Sequence, residues 1–152
     1  MGVTTTQEYN SCIPAPRLFK AVVLESEKVL PKAMPEAFKC IEVEGDVRVT
    51  KLPEGGEFKY MKHRTDVLDI NNYFCKYTLF EGDILGDKLE SVVHEVKYEA
   101  SGKGCVVKAT NHYHPKTGVV LNLEEINAGE VKALGLYKAV EEYLLANPTV
   151  CA

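Results

Sequence analysis

From residue 38 to about 114 the chain runs largely in a two-residue rhythm, apolar and polar positions alternating through "EFKYMKHRTDVL", "NNYFCKYTLFE", "KLESVVHEVKYEA" and "CVVKATNHYH". Clusters of turn residues, "PEGG", "DINN", "EGDILGD" and "SGKG", separate these runs, which predicts consecutive antiparallel neighbours in one meandering sheet. The threonine-rich residues 3–12 read as a further strand. Between it and the meander, "IPAPRLFKAVVLESEKVLPKAMPEAF" carries helical spacing interrupted by Pro14, Pro16, Pro31 and Pro35. Proline fits the first turn of a helix and stops one elsewhere, so two short helices are expected, at 15–24 and 26–33, the second capped by Ser26. Helices this short need a larger surface to pack on.

After residue 122 the period lengthens. "LEEINAGEVKALGLYKAVEEYLLA", residues 123–146, predicts one helix of about 36 Å, closed by Asn147-Pro148. At ~100° per residue, Ile126, Ala133, Leu136, Tyr137, Val140, Tyr143 and Leu144 form one apolar arc. On one flank Ala128, Gly135 and Ala139 make a stripe of small residues with Lys132 among them. A stripe with so little side-chain volume suggests close backbone approach or a space kept open. The order strand, two short helices, antiparallel meander and terminal helix describes an α+β domain. Its sheet must bury one face, and only the last helix is long enough to cover it.

The stretch "CIEVEGDVRVTKL", residues 40–52, is two strands with almost nothing between them. If Glu44-Gly45-Asp46 is the loop, Val43 faces Val47, Ile41 faces Val49 and Glu42 lies opposite Arg48. A two-residue Gly-Asp turn would put Val43 opposite Arg48 and mix polar with apolar on both faces. Parity therefore favours the three-residue hairpin, with Asp46 in a left-handed conformation.

Composition narrows the partners. The 152 residues, 45% of them hydrophobic, suit a single domain spanning 1–152 with a sizeable core. A net charge of −4 and a pI near 5.6 give no basic field to draw nucleic acid or an anionic membrane, so neither is expected as a partner. Five cysteines (Cys12, Cys40, Cys75, Cys105 and Cys151), odd in number and without CxxC spacing, fit reduced thiols in an intracellular protein better than a disulfide framework or zinc site. "MGVTTTQEYN" has neither a basic start nor an apolar run, and no segment approaches the ~18 apolar residues of a membrane helix. Gly2 followed by Thr6 loosely matches a myristoylation pattern, but an ordinary edge strand is the stronger reading. His112 and His114 share one strand face without a third ligand nearby, and read as a surface pair rather than a metal site. No cofactor is called for.

Four separated segments, "IPAPRLFKA" (13–21), "EGDILGDKLE" (81–90), "NHYHPKTG" (111–118) and "VEEYLLANP" (140–148), closely resemble the plant pathogenesis-related class-10 proteins, the Bet v 1 or birch-pollen major allergen family. The match is collinear from about residue 2 to the C-terminus and is nearest in flavour to the fruit-allergen and Hypericum phenolic-coupling branches. The resemblance implies a helix-grip fold related to START domains: a seven-stranded antiparallel sheet wrapped around the long C-terminal helix, with two short helices in a V after the first strand. It also implies a large, mostly apolar cavity for amphipathic small molecules such as flavonoids, other phenolics and phytohormones. The implied role is storage, transport or signalling in plant defence by a cytoplasmic protein, with the nucleus also open to it, as a monomer with at most weak dimerisation. Related hormone receptors act in abscisic acid signalling through gate and latch loops whose motifs are not found here.

The resemblance also says which parity faces the cavity. It implies ligand contacts from Phe38, from Thr50 and Leu52 on the third strand, and from Phe58 and Tyr60 on the fourth. Cys75, Tyr77 and Leu79 follow on the fifth strand, His94, Val96 and Tyr98 on the sixth, and Val107, Ala109 and Tyr113 on the seventh. The helix would contribute Ala128, Lys132, Gly135, Leu136 and Ala139. Such a wall, apolar with a few hydroxyls and one cation, suits a flat, partly oxygenated molecule. Cys75 stands where relatives commonly have tyrosine, which should widen one side, and burial should keep its thiol inert. Lys132 either snorkels to solvent or meets an anionic ligand group, and His94 reads as hydrogen-bonded structure.

Two catalytic alternatives follow from the same resemblance. Ribonuclease proposals for the family invoke a glycine-rich GxGGxG loop and positions matching Arg48, Glu90, Glu141 and Tyr143. Here only Glu44-Gly45-Asp46 stands in place of that loop, too little backbone for a phosphate cradle, which disfavours the nuclease reading. Other relatives catalyse condensation or isomerisation; Lys108 resembles a lysine of one condensing enzyme, but its parity is outward and no acidic residue is predicted inward beside it. A binding protein that need not catalyse any reaction is the leading expectation.

Overall fold

The computed structural model describes residues 2–152. Strand β1 (Val3–Ser11) leads through Pro14 into helix α1 (Ala15–Phe19), which runs on as a π-helical turn (Lys20–Leu24) before helix α2 (Ser26–Ala33). Strands β2 (Cys40–Glu44), β3 (Val47–Lys51), β4 (Tyr60–Asp69), β5 (Phe74–Gly82), β6 (Leu89–Ser101) and β7 (Gly104–Pro115) follow, and helix α3 (Leu123–Ala146) ends the fold. The seven strands form one antiparallel sheet in the order β1-β7-β6-β5-β4-β3-β2, so the meander is closed on one side by the first strand and left with β2 at its other edge. The helix-grip α+β architecture is therefore present.

Helix α3 is seated by its second half. Val140 and Leu144 are fully buried against Ile13, Leu18 and Phe19 from the α1 segment and Tyr98 and Val107 from the sheet. Phe19 meets Tyr98 edge-on with ring centroids 5.4 Å apart. Its start is capped by Asn122, whose Oδ1 accepts from the Glu124 and Glu125 N–H groups at 2.9 and 3.3 Å. At the end of α3 Arg17 on α1 donates to the orphaned carbonyl of Leu144 (2.9 Å) and, just past the helix, to those of Asn147 (3.0 Å) and Val150 (3.0 Å). Replacing Arg17 with methionine keeps the stem and removes all three charge-assisted bonds. Urea unfolding should then show a loss of about 3 kcal/mol. Gly104, at the β6–β7 turn, has a different duty: a Cβ there would sit 2.0 Å from the Ser11 carbonyl oxygen, so only glycine lets β1 close against β7.

Local readings fail at two points. Ser26 is not the cap of α2: Glu25 holds that position, and the Ser26 hydroxyl is buried as the acceptor of the Arg48 Nε–H at 3.0 Å. The β2–β3 hairpin turns in two residues, pairing Val43 with Arg48 and Ile41 with Thr50, and Gly45 takes φ +64° while Asp46 does not enter the left-handed region. A positive φ at the first central position is what glycine supplies in a type II′ turn. The pairing of Val43 with Arg48 does mix polar with apolar on one face, but Arg48 does not seek water. Instead it turns inward to Ser26, to the Val23 carbonyl (3.2 Å) and to Glu27 (3.8 Å), while Val43, on the edge strand, is 45% exposed. A two-residue turn leaves even fewer free amides for a phosphate than the loop expected.

Candidate ligand cavity

The first half of α3 meets the sheet at Glu130, which bonds to β1 and β7, and leaves open space beside that contact. Between them lies a cavity of about 630 Å³, lined by the inner faces of β3 to β7, the α1–α2 segment and α3. Exposed Ile84, Lys88 and Glu125 mark its rim.

Most expected strand positions reach this space: Phe38, Thr50 and Phe58; Cys75, Tyr77 and Leu79; His94, Val96 and Tyr98; Ala109 and Tyr113. Leu52 and Tyr60 do not. Tyr60 begins β4 facing outward, its hydroxyl donating to Glu81 at 3.1 Å. Phe58 lies in the preceding loop, so its orientation does not carry along the strand. The inward set on β4 is Met61, His63 and Thr65, changing parity to Leu68 across a register shift between Thr65 and Val67. Val107 is buried, but in the packed core below the cavity.

Helix α3 departs most from expectation. Of the five helical positions named, only Leu136 lines the cavity; Ala128, Lys132 and Gly135 are exposed on the far side, and Ala139 is half-buried off the wall. The inward face is Ile126, Gly129, Glu130, Ala133, Leu136 and Tyr137. This follows the apolar arc itself, with Gly129 and Ala133 as the small residues that keep space open. The stripe of small residues lies on the other flank, and the cations that reach the cavity are Arg48 and, at the rim, Lys88 rather than Lys132.

Two titratable residues escaped the sequence reading. His63 is reachable from the cavity yet shielded from bulk solvent, and this burial, with His94 nearby, pushes its imidazole down to about 3. The His63, Tyr77 and His94 rings form a row, with centroids 5.5 Å and 4.8 Å apart. The alternation of Lys62 and Arg64 with Met61, His63 and Thr65 was the available signal. Glu130, 8% exposed, sits within the apolar arc of α3. Its Oε2 accepts from the hydroxyls of Thr5 and Tyr113 (3.0 Å) and from Asn111 Nδ2 (3.1 Å), and its backbone carbonyl accepts from Gln7. Burial and this carboxylate raise the Tyr113 phenol well above its ordinary range. An acidic group does therefore face inward, contrary to the sequence reading.

The remaining expectations concern groups away from the cavity or inert within it. His94 Nδ1 lies 2.7 Å from Asn111 Oδ1, and burial lowers its pKa. Cys75 is 2% exposed, and burial pushes its thiol up to about 12. Lys108 points outward and pairs with Glu99 at 2.9 Å. His112 is held between Thr4 and Glu95 on the outer face of the sheet, and among the described residues no group of three metal-ligating side chains converges. Of the positions matched to nuclease proposals, Arg48 lines the cavity and Glu90 is exposed. Glu141 accepts from Tyr9 OH (2.7 Å), Ser11 Oγ (3.1 Å) and the Cys12 N–H (2.9 Å), tying α3 to the end of β1. Burial opposes its charge, but these donors prevail and hold its carboxyl below the ordinary range. Among the described residues no helix is long and apolar enough to cross a membrane.

Known proteins carry the same plan. The profile described as "Pathogenesis-related protein Bet v 1 family" matches residues 1–147. Pathogenesis-related protein STH-2 of Solanum tuberosum is 48% identical, with 100% of each chain covered. That alignment spans 156 positions against 152 residues here, so the relative has residues without a counterpart in this chain. Major strawberry allergen Fra a 1.08 of Fragaria ananassa is 44% identical over 97% of this chain and 98% of its own. The crystal structure of Ara h 8.0201 superposes with a TM-score of 0.85 at 32% identity, covering 97% of this chain and 100% of the other. With sheet, gripped helix and sequence agreeing along the chain, this protein belongs to the Bet v 1 family of pathogenesis-related proteins.

Proposed function

We propose that the protein binds one amphipathic small molecule, such as a phytohormone, flavonoid or other phenolic, between α3 and the sheet, and so stores, carries or signals the presence of that molecule in plant defence. The observation that carries this reading is the cavity of about 630 Å³, within the size range of small-molecule sites and walled mainly by apolar and aromatic side chains. Removing ligand surface from water at ~25 cal/mol per Å² supplies affinity, and the few inward polar groups supply selection. Five free thiols suit a reducing compartment, which supports action inside the cell.

A thermal-shift screen against flavonoids, phenolics and plant hormones tests the reading. A true ligand should raise the melting temperature with its concentration, because it binds the native state alone, and native mass spectrometry should show one molecule per chain. If no such compound shifts the transition, the reading fails.

A further inference from the structure

Among the described residues four charged side chains reach the cavity: Arg48, Lys88, Glu125 and Glu130. Three of them have counter-ions. Lys88 and Glu125 pair at 3.3 Å on the exposed rim, and Arg48 faces Glu27 at 3.8 Å while bonding Ser26 and the Val23 carbonyl. Glu130 has no cationic partner among the described residues, although only 8% of it is exposed. All three donors that meet its carboxylate converge on Oε2. Among the described residues no donor meets Oε1, and that oxygen keeps accessible surface on a side chain that lines the cavity.

The neighbouring network fixes which atoms can accept. Asn111 directs its amide N–H groups to Glu130 Oε2 (3.1 Å) and Gln7 Oε1 (3.2 Å), which leaves its Oδ1 to accept from His94 Nδ1–H at 2.7 Å. His94, neutral in its buried place, then presents the lone pair of Nε2. This pole of the cavity is an array of acceptors around one uncompensated negative charge. Such a charge in a low-dielectric site favours a cation with N–H donors and disfavours an anion.

We propose that Glu130 Oε1 is the seat for the protonated nitrogen of an amphipathic amine, whose aromatic body lies along the apolar wall formed by Leu79, Val92, Ala133 and Leu136. This rests on the reading of the cavity as a ligand site and names the ligand's chemical class. A charge-assisted hydrogen bond of this kind corresponds to about 10-fold or more in affinity over a neutral analogue of equal shape.

Calorimetric titration at neutral pH with three indoles of similar size, tryptamine as cation, tryptophol as neutral alcohol and indole-3-acetate as anion, tests it. Tryptamine should bind about 10-fold or more tightly than tryptophol, with indole-3-acetate weakest. In Glu130→Gln, which keeps an oxygen for Thr5, Tyr113 and Asn111, the ratio of tryptamine to tryptophol affinity should fall to near unity. Nile red, a neutral dye, reports separately whether the wild-type cavity admits a guest. If Nile red binds but the three indoles bind alike, the anion binds best, or the preference survives in Glu130→Gln, the amine assignment is overturned and the cavity reading stands. If neither Nile red nor any indole binds, both are overturned. The wild-type comparison needs no variant to fold.

Discussion

Acidification from pH 6.5 to 4.5 should remove about 2–3 kcal/mol of stability through His63 alone, because its imidazole falls from 6.5 in the unfolded chain to about 3 in the fold. A group whose folded pKa is depressed stabilises the native state above its unfolded pKa. That contribution fades at about 1.4 kcal/mol per pH unit as the unfolded chain takes up a proton the folded chain refuses. The loss ends only near the folded value. His94 is shifted in the same direction and adds to the slope. The carboxylates held below their ordinary range, Asp66, Asp69, Glu81 and Glu141, release most of their contributions below about 4.5, so the histidines dominate the chosen window. Urea unfolding at the two pH values should show this fall in the wild type and a markedly smaller one in His63→Leu. Equal losses in the two proteins would show that His63 is charged, and therefore hydrated, in the folded state.

The second large effect concerns the space under α3. Gly129, an exposed residue within α3, borders the cavity, and a Cβ there would meet nothing within 4 Å. Glycine in a helix interior costs about 1 kcal/mol relative to a good helix former. Gly129→Leu should therefore raise stability by about that amount, since the added side chain enters open space rather than packed atoms. It should also weaken any occupant of the cavity by about 10-fold or more, through lost volume and lost apolar contact. Ala128→Leu, one residue away and off the cavity wall, should change neither stability nor binding appreciably. A destabilised Gly129→Leu, or one that binds Nile red as the wild type does, would mean that this face of α3 does not border the ligand space.

These two residues show what the sequence could and could not disclose. Element order and the bounds of α3 were legible because periodicity changes sharply at residue 122 and because Pro14, Pro16 and the Asn147-Pro148 pair punctuate the helices. Strand faces were legible from β5 to β7, where regular alternation persists. On β4 a loop precedes the strand and a register shift interrupts it, so the parity taken from Phe58 led to Tyr60 and missed His63. The β2–β3 register was misjudged because an edge strand offers no buried face to select a pairing, and because the partner that draws Arg48 inward lies 22 residues away at Ser26. On α3 the choice of flank rested on side-chain size alone. The apolar arc held the correct answer, and with it Glu130, whose three donors come from β1 and β7 and are invisible to any local window.

The hollow between helix and sheet is the claim on which the proposed function depends, and methyl NMR reads it directly. Titration of Nile red into methyl-labelled protein should shift the resonances of Val92, Val96 and Ala109 on the sheet together with Ala133 and Leu136 on α3. The shifts should saturate near one equivalent, and Ala128 and the exposed Leu145 should stay still. Shifts confined to those outer methyls, or a response that never saturates, would contradict an internal binding site.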